Sequence, residues 1–74
     1  LLEDTNYKDI LMRYVQGIKL GLPEYKNTED TNLKEFRINI YINSKFVSEG
    51  IHKLKKQAEQ IAAKRALKCF NIII

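Results

Sequence analysis

Three lysines surround the start of a predicted helix and form the part of the chain best suited to bind an anion. Lys53 precedes this helix, Lys55 and Lys56 open it, and the helical segment extends over residues 54–70. A helix N-terminus presents free N–H groups and a partial positive charge, so cations placed there favour anions, and phosphate in particular. His52, the single histidine, is expected beside a phosphate or in solvent. The sequence therefore predicts a phosphate-binding site at this helix start.

The other reactive side chains do not indicate catalysis or metal binding. His52 has no nearby Cys or Ser nucleophile and no second ligand, and the carboxylates are scattered rather than convergent as in a two-metal nuclease. Cys69 is the only cysteine, so an internal disulfide is excluded, and we expect it to be a core residue on an apolar helix face. We expect no catalytic residue, metal or cofactor in this segment.

The apolar residues upstream predict a first helix with one buried side. It would begin at Asn6 or Asp9, with Asn6 as a suitable N-cap, and Pro23 forbids its continuation after Gly17 and Gly21. Its apolar stripe has helical spacing and consists of Ile10, Leu11, Tyr14, Val15 and Ile18.

The middle of the chain predicts a three-stranded antiparallel sheet. Residues 24–28 suit a short strand and residues 29–35 a polar loop. Residues 36–42 alternate strictly between apolar and polar, which indicates one buried face, and after a turn at 43–45 the third strand occupies 46–50. The last helix has alanine at every fourth position, namely Ala58, Ala62 and Ala66. The fold class is therefore α+β, in the order α-β-β-β-α, with both helices packed on one face of the sheet.

Length and charge distribution restrict the classes of partner. The chain has 74 residues, enough for one small domain, which we place at 6–70 between a linker or tail at 1–5 and an apolar tail at 71–74. Residues 1–35 carry five basic and seven acidic side chains, whereas residues 36–74 carry eight and two, so the positive charge is concentrated near the second helix. No run approaches the length of a membrane span, and the lone cysteine favours an intracellular setting, cytoplasmic or nuclear. Neither a membrane nor a small-molecule substrate is expected as a partner.

Several segments, in their order and spacing, resemble a double-stranded RNA-binding domain over roughly residues 7–70. The matching segments are Leu22-Pro23-Glu24-Tyr25, the strand from Phe36 to Asn43, Gly50, Lys55-Lys56-Gln57-Ala58-Glu59, Ala62-Ala63 and Ala66-Leu67. The Lys-Lys-x-Ala-Glu form is similar to the C-terminal double-stranded RNA-binding domain of ribonuclease III-like enzymes. The stretch Asn6-Tyr7-Lys8-Asp9 is similar to the junction where these enzymes join their nuclease domain to that module. The resemblance implies recognition of duplex shape over about 16 base pairs, without sequence preference.

The resemblance also implies which residues contact RNA. Lys55 and Lys56 match the paired phosphate-binding lysines of the family, but Glu59 stands where a third lysine is common and Leu54 where a serine cap is usual. The first helix would contact one minor groove through the positions occupied here by Asp9, Met12, Arg13 and Gln16. Of these four, Gln16 alone matches the family outright, and Met12 offers no hydrogen bond.

The loop between the first two strands departs furthest from the family pattern. Its tip usually has a Gly-Pro-x-His type of sequence that enters a second minor groove, and this chain has no Gly, Pro or His there and is about three residues shorter. The three acids of this loop would repel phosphate, but Thr31, Asn32 and Lys34 would still be able to hydrogen-bond to sugars.

Three functional hypotheses remain open from the sequence. The first is a non-catalytic double-stranded RNA-binding module that positions RNA for a ribonuclease III-type nuclease domain outside this segment. The second is a protein-interaction or homodimerisation domain with the same fold and weak RNA affinity, suggested by the altered loop and the apolar end at residues 70–74. The third is a protein that sequesters double-stranded RNA.

Overall fold

The structure, a computed structural model, has the predicted α-β-β-β-α order. It describes residues 6–30, as backbone only at 29 and 30, and residues 34–70. The elements are α1 (Tyr7–Gly17), β1 (Glu24–Asp30), β2 (Glu35–Ile42), β3 (Lys45–His52) and α2 (Lys55–Cys69). The segments 1–5 and 71–74, predicted to be tails, lie outside the described residues. Among the described helices, none is long and apolar enough to cross a membrane.

The three strands form one antiparallel sheet in the order β1-β2-β3. The expected strands were too short, because three residues assigned to the loop pair as strand: Glu29 lies opposite Phe36, and Asp30 lies opposite Glu35. Backbone pairing satisfies peptide groups whatever the side chains are, so a polar sequence at a sheet edge does not prevent a strand. β3 likewise continues to His52, which pairs with Phe36.

The β2–β3 hairpin is closed by a two-residue turn rather than the three-residue turn expected. Asn43 and Ser44 both have positive φ, 56° and 66°, as a type I′ turn requires. The register then shifts, since Tyr41 pairs with Phe46 but Ile40 pairs with Ser48, which leaves Val47 as the extra residue of a bulge.

Helix α2 lies unusually close to β3. A Cβ atom on Gly50 would lie 2.2 Å from the Ala58 carbonyl oxygen and 2.6 Å from the Ala62 nitrogen, so only glycine fits beneath the helix. The Ser48 hydroxyl donates a 2.7 Å hydrogen bond to the Ala62 carbonyl. The predicted alanine face is confirmed, because Ala58, Ala62 and Ala66 are all fully buried.

Helix α1 completes the core beside α2. Asn6 is its N-cap as predicted, and the Asn6 side chain accepts a hydrogen bond from the Asp9 N–H at 3.1 Å. At the other end Lys19 adopts a left-handed conformation, φ 59°, and the Leu20 N–H reaches the Val15 carbonyl at 3.0 Å in a Schellman arrangement. Leu11 and Val15 are fully buried against the sheet isoleucines and α2.

Cys69 is exposed, so the expectation that it belongs to the core was wrong. It shares the helix face of the alanines, but it lies in the last turn of α2 beside the edge strand β3. Its sulfur is 3.8 Å from the Val47 carbonyl oxygen on one side and faces an open groove on the other.

Candidate nucleic-acid interface

The N-terminus of α2 combines exposed cations with unsatisfied backbone donors. Lys55 and Lys56 are the first two helical residues, both are exposed, and neither forms an ion pair with a residue that the structure describes. Leu54 is the N-cap and gives no side-chain hydrogen bond, as expected from its type. Lys53 is exposed in the turn just before it. The free N–H groups and the lysines therefore act together at one place, where an anion would be bound by both.

His52 stabilises the turn that leads into this helix. Its Nδ1 accepts a hydrogen bond from the Leu54 N–H at 3.0 Å, and the ring is half-buried. A neutral imidazole that accepts at Nδ1 carries its proton on Nε2, which remains available as a donor. Sequence reasoning placed His52 beside the lysines but did not anticipate this contact, which satisfies the Leu54 N–H and not the donors that a serine cap would satisfy.

An ion pair between the two helices neutralises Glu59, the acid that follows Lys53, Lys55 and Lys56, which we call the lysine cluster. Lys8 Nζ lies 2.7 Å from Glu59 Oε1, and the Glu59 side chain is only 16% exposed. The Tyr7 N–H donates to Gln60 Oε1 at 2.9 Å, so the start of α1 is held against the first turns of α2. Sequence reasoning missed this ion pair. The available indication was that Lys8 and Glu59 carry opposite charges on two helices expected to pack side by side.

A groove connects the exposed side of α1 with the lysine cluster. Its volume is about 530 Å³, and it is lined by Asp9 and Met12 of α1, Lys56 of α2, and Leu22 and Tyr25 among others. Burial, and to a smaller extent the Glu59 carboxylate, raises the pKa of Tyr25 to about 12, so this phenol stays neutral at the groove wall. The predicted contact regions on α1 and at the start of α2 thus form one continuous surface.

The predicted contact residues of α1 lie on its exposed side. Asp9 and Arg13 form an ion pair one turn apart, with Arg13 Nε 3.2 Å from Asp9 Oδ2 and the Arg13 side chain 77% exposed. Met12 is 39% exposed, and Gln16 is exposed one turn further along. Pairing with Arg13 offsets the repulsion that Asp9 would exert on a phosphate.

The third predicted contact region lies at the same end of the sheet as the start of α2. Phe36 pairs with Glu29 on one side and His52 on the other, so the β1–β2 connection and the β3–α2 connection leave the sheet together. Lys34 is exposed there, with φ 54°, whereas Thr31 and Asn32 lie outside the described residues.

Curated relatives of this chain include ribonucleases III. Ribonuclease 3 of Wigglesworthia glossinidia brevipalpis is 43% identical over 70 residues, which is 89% of this chain and 31% of the relative. Ribonuclease 3 of Borreliella afzelii is 38% identical over 71 residues, 92% of this chain and 29% of the relative. The expected similarity to ribonuclease III enzymes is confirmed, and the chain spans less than a third of the length of these relatives.

A solved structure and a family profile agree with this result. The crystal structure of the double-stranded RNA-binding domain of a tRNA-dihydrouridine(20) synthase superposes with a TM-score of 0.82 at 22% identity, covering 96% of this chain and 77% of that one. This likeness confirms the fold. The profile of the double-stranded RNA binding motif matches residues 7–68. The chain therefore belongs to the double-stranded RNA-binding motif family.

Proposed function

We propose that this segment binds double-stranded RNA by its shape and backbone, without sequence preference, and performs no chemistry itself. The observation that carries the proposal is the pair Lys55 and Lys56 at the uncapped start of α2, exposed and free of ion pairs with the described residues. A cationic helix start of this kind suits the closely spaced phosphates that flank the major groove of an A-form duplex.

The exposed side of α1 would then contact an adjacent minor groove. Gln16 and Arg13 provide hydrogen-bond donors for 2′-hydroxyl groups or phosphates, and Met12 provides an apolar contact at the edge of the groove. Lys34, Thr31 and Asn32 would contact a second minor groove from the β1–β2 connection. Lys53 and His52 would add phosphate contacts beside the paired lysines.

The names of the curated relatives support a role for this module in RNA processing. Ribonuclease 3 proteins of two bacteria contain a matching segment within a chain more than three times as long. We infer that the module holds double-stranded RNA in the orientation required by a ribonuclease III-type nuclease domain elsewhere in a longer protein.

A charge-matched comparison of two double variants tests the RNA site. Lys55→Ala/Lys56→Ala removes the proposed phosphate contacts, whereas Lys45→Ala/Lys68→Ala removes two exposed lysines from the start of β3 and the last turn of α2. Fluorescence anisotropy with RNA duplexes of several sequences should show an affinity loss on the order of 10- to 100-fold for the first variant. The slope of log K against log salt should flatten by roughly two units.

The control variant should retain most of the affinity. Equal losses for both variants would refute the assigned site and reduce the interaction to general electrostatics. A loss confined to some duplex sequences would refute sequence-independent recognition.

A further inference from the structure

The spacing of Glu59 along α2 places its carboxylate within reach of both lysines of the proposed RNA site. Glu59 follows Lys55 by four residues and Lys56 by three, the two separations at which side chains on one helix meet. A carboxylate paired with either lysine would compete with a bound phosphate for that lysine. Neither pair is present among the described residues, because Glu59 pairs instead with Lys8, which belongs to the other helix.

Contacts on several sides hold Lys8 in this position. Its Nζ lies 2.7 Å from Glu59 Oε1, and the same nitrogen lies 5.3 Å from the centroid of the Tyr25 ring. The neighbouring residues are also in contact, since the Tyr7 N–H donates to Gln60 Oε1 at 2.9 Å. This second contact aligns the start of α1 with the first turns of α2, so that the ammonium and the carboxylate stay opposite each other.

The ion pair belongs to the electrostatics of the RNA site. Lys8 and Glu59 both line the groove that contains Lys56. The charge of Glu59 acts within this groove, because the carboxylate adds to the effect of burial in raising the pKa of Tyr25 to about 12. Without the Lys8 ammonium, that negative charge would face Lys56 uncompensated.

We propose that Lys8 sets the RNA affinity of the domain by holding Glu59 away from Lys55 and Lys56. The inference rests on the function proposed above and adds to it a residue of α1 that takes no phosphate itself. Lys8 acts through Glu59 and is therefore a positioning residue, which leaves the charges of the paired lysines available to the RNA.

A comparison of two lysine variants tests this role. In Lys8→Met the carboxylate of Glu59 is released to the lysine cluster, so the affinity for duplex RNA should fall on the order of fivefold. Lys26→Met is the matched control, because Lys26 Nζ also lies over a tyrosine ring, 4.7 Å from the Tyr41 centroid. Tyr41 alternates with buried isoleucines, so Lys26 lies on the sheet face away from the helices. Its loss should change the affinity by about twofold or less.

Glu59→Gln provides the second half of the test. Without the carboxylate there is nothing for Lys8 to hold, so this variant should bind RNA as tightly as the parent chain or more tightly. Adding Lys8→Met to Glu59→Gln should then cost no more affinity than Lys26→Met does. If the ion pair served only to pack the helices together, Glu59→Gln would weaken RNA binding as well.

A titration with inorganic phosphate gives a readout that does not require RNA. The NMR shifts of the Lys55 and Lys56 N–H groups should report weaker phosphate binding in Lys8→Met than in Lys26→Met or the parent chain. If the parent chain binds no duplex RNA, the function proposed above fails, and this titration still decides the role of Lys8.

Two results would overturn the inference. The first is equal affinity of Lys8→Met and Lys26→Met for RNA and for phosphate. The second is a loss of affinity in Glu59→Gln, which decides the question even if Lys8→Met does not fold.

Discussion

Substituting Gly50 by alanine should destabilise the domain strongly, because the added methyl group has no space beneath α2. The new Cβ would lie 2.2 Å from the Ala58 carbonyl oxygen and 2.6 Å from the Ala62 nitrogen, both backbone atoms of α2. Since Cβ contacts under 3.0 Å are essentially never seen, α2 must move away from β3 by at least 0.8 Å, which is 3.0 minus 2.2 Å. No change of rotamer relieves a contact with backbone.

The size of the loss follows from what this movement disrupts. Overpacking of this kind costs about 1–3 kcal/mol. Lengthening the 2.7 Å hydrogen bond from Ser48 to the Ala62 carbonyl adds roughly 1 kcal/mol. The expected decrease in the free energy of unfolding is therefore about 2–4 kcal/mol. For a domain of 74 residues the whole free energy of unfolding is only about 4–11 kcal/mol, so this loss is a large fraction of it.

Urea denaturation followed by circular dichroism measures this loss, with Gly17→Ala as the matched control. A Cβ on Gly17, the last residue of α1, meets nothing within 4 Å, so alanine should stabilise the helix by about 0.5 kcal/mol. Gly50→Ala should lower the urea midpoint by roughly 2 M. A midpoint for Gly50→Ala equal to that of the parent protein would refute the close packing of α2 on β3.

Two further predictions concern backbone strain and pH. Lys19→Gly should raise the free energy of unfolding by about 1 kcal/mol in the same urea experiment, because Lys19 has a φ of 59° that glycine adopts without strain. A free energy of unfolding below that of the parent protein would contradict the left-handed conformation at the end of α1. Tyr25 should make stability fall as pH rises from about 10 to about 12. In the folded state, burial and Glu59 hold the pKa of Tyr25 at about 12. The unfolded chain therefore loses the phenol proton at lower pH than the folded chain, which favours unfolding across this range. Tyr25→Phe should abolish that contribution, so the difference in unfolding free energy between the two proteins should be constant below this window and change across it.

The sequence was sufficient for the order of the elements because its patterns are local. The alternation from Phe36 to Ile42 and the alanines of α2 are read within one element, and both predicted the buried faces correctly. The N-cap at Asn6 has the same local character.

The features that sequence reasoning missed depend on how separate elements meet. The Lys8–Glu59 ion pair joins residues 51 positions apart, and no spacing rule connects them. The exposure of Cys69 depends on where β3 begins beneath the last turn of α2, which periodicity along the helix does not reveal. The bulge at Val47 likewise depends on how the turn at Asn43 and Ser44 sets the pairing of β2 with β3.

The paired lysines of the candidate site were predictable because a helix start and its charges are adjacent in sequence. What the structure adds is their surroundings: a groove shared with α1 and a compensated Glu59. Recognition of RNA by these groups remains a proposal, and it depends on A-form geometry rather than on charge alone.

The most direct test of that proposal compares an RNA duplex of about 20 base pairs, longer than the roughly 16 spanned by such domains, with a DNA duplex of the same sequence. Fluorescence anisotropy of each with this domain, at two salt concentrations, gives affinity and salt dependence together. We predict micromolar or tighter RNA binding that weakens with salt, and clearly poorer DNA binding. Equal weak binding to both duplexes would contradict recognition of duplex shape and would turn attention to a protein partner.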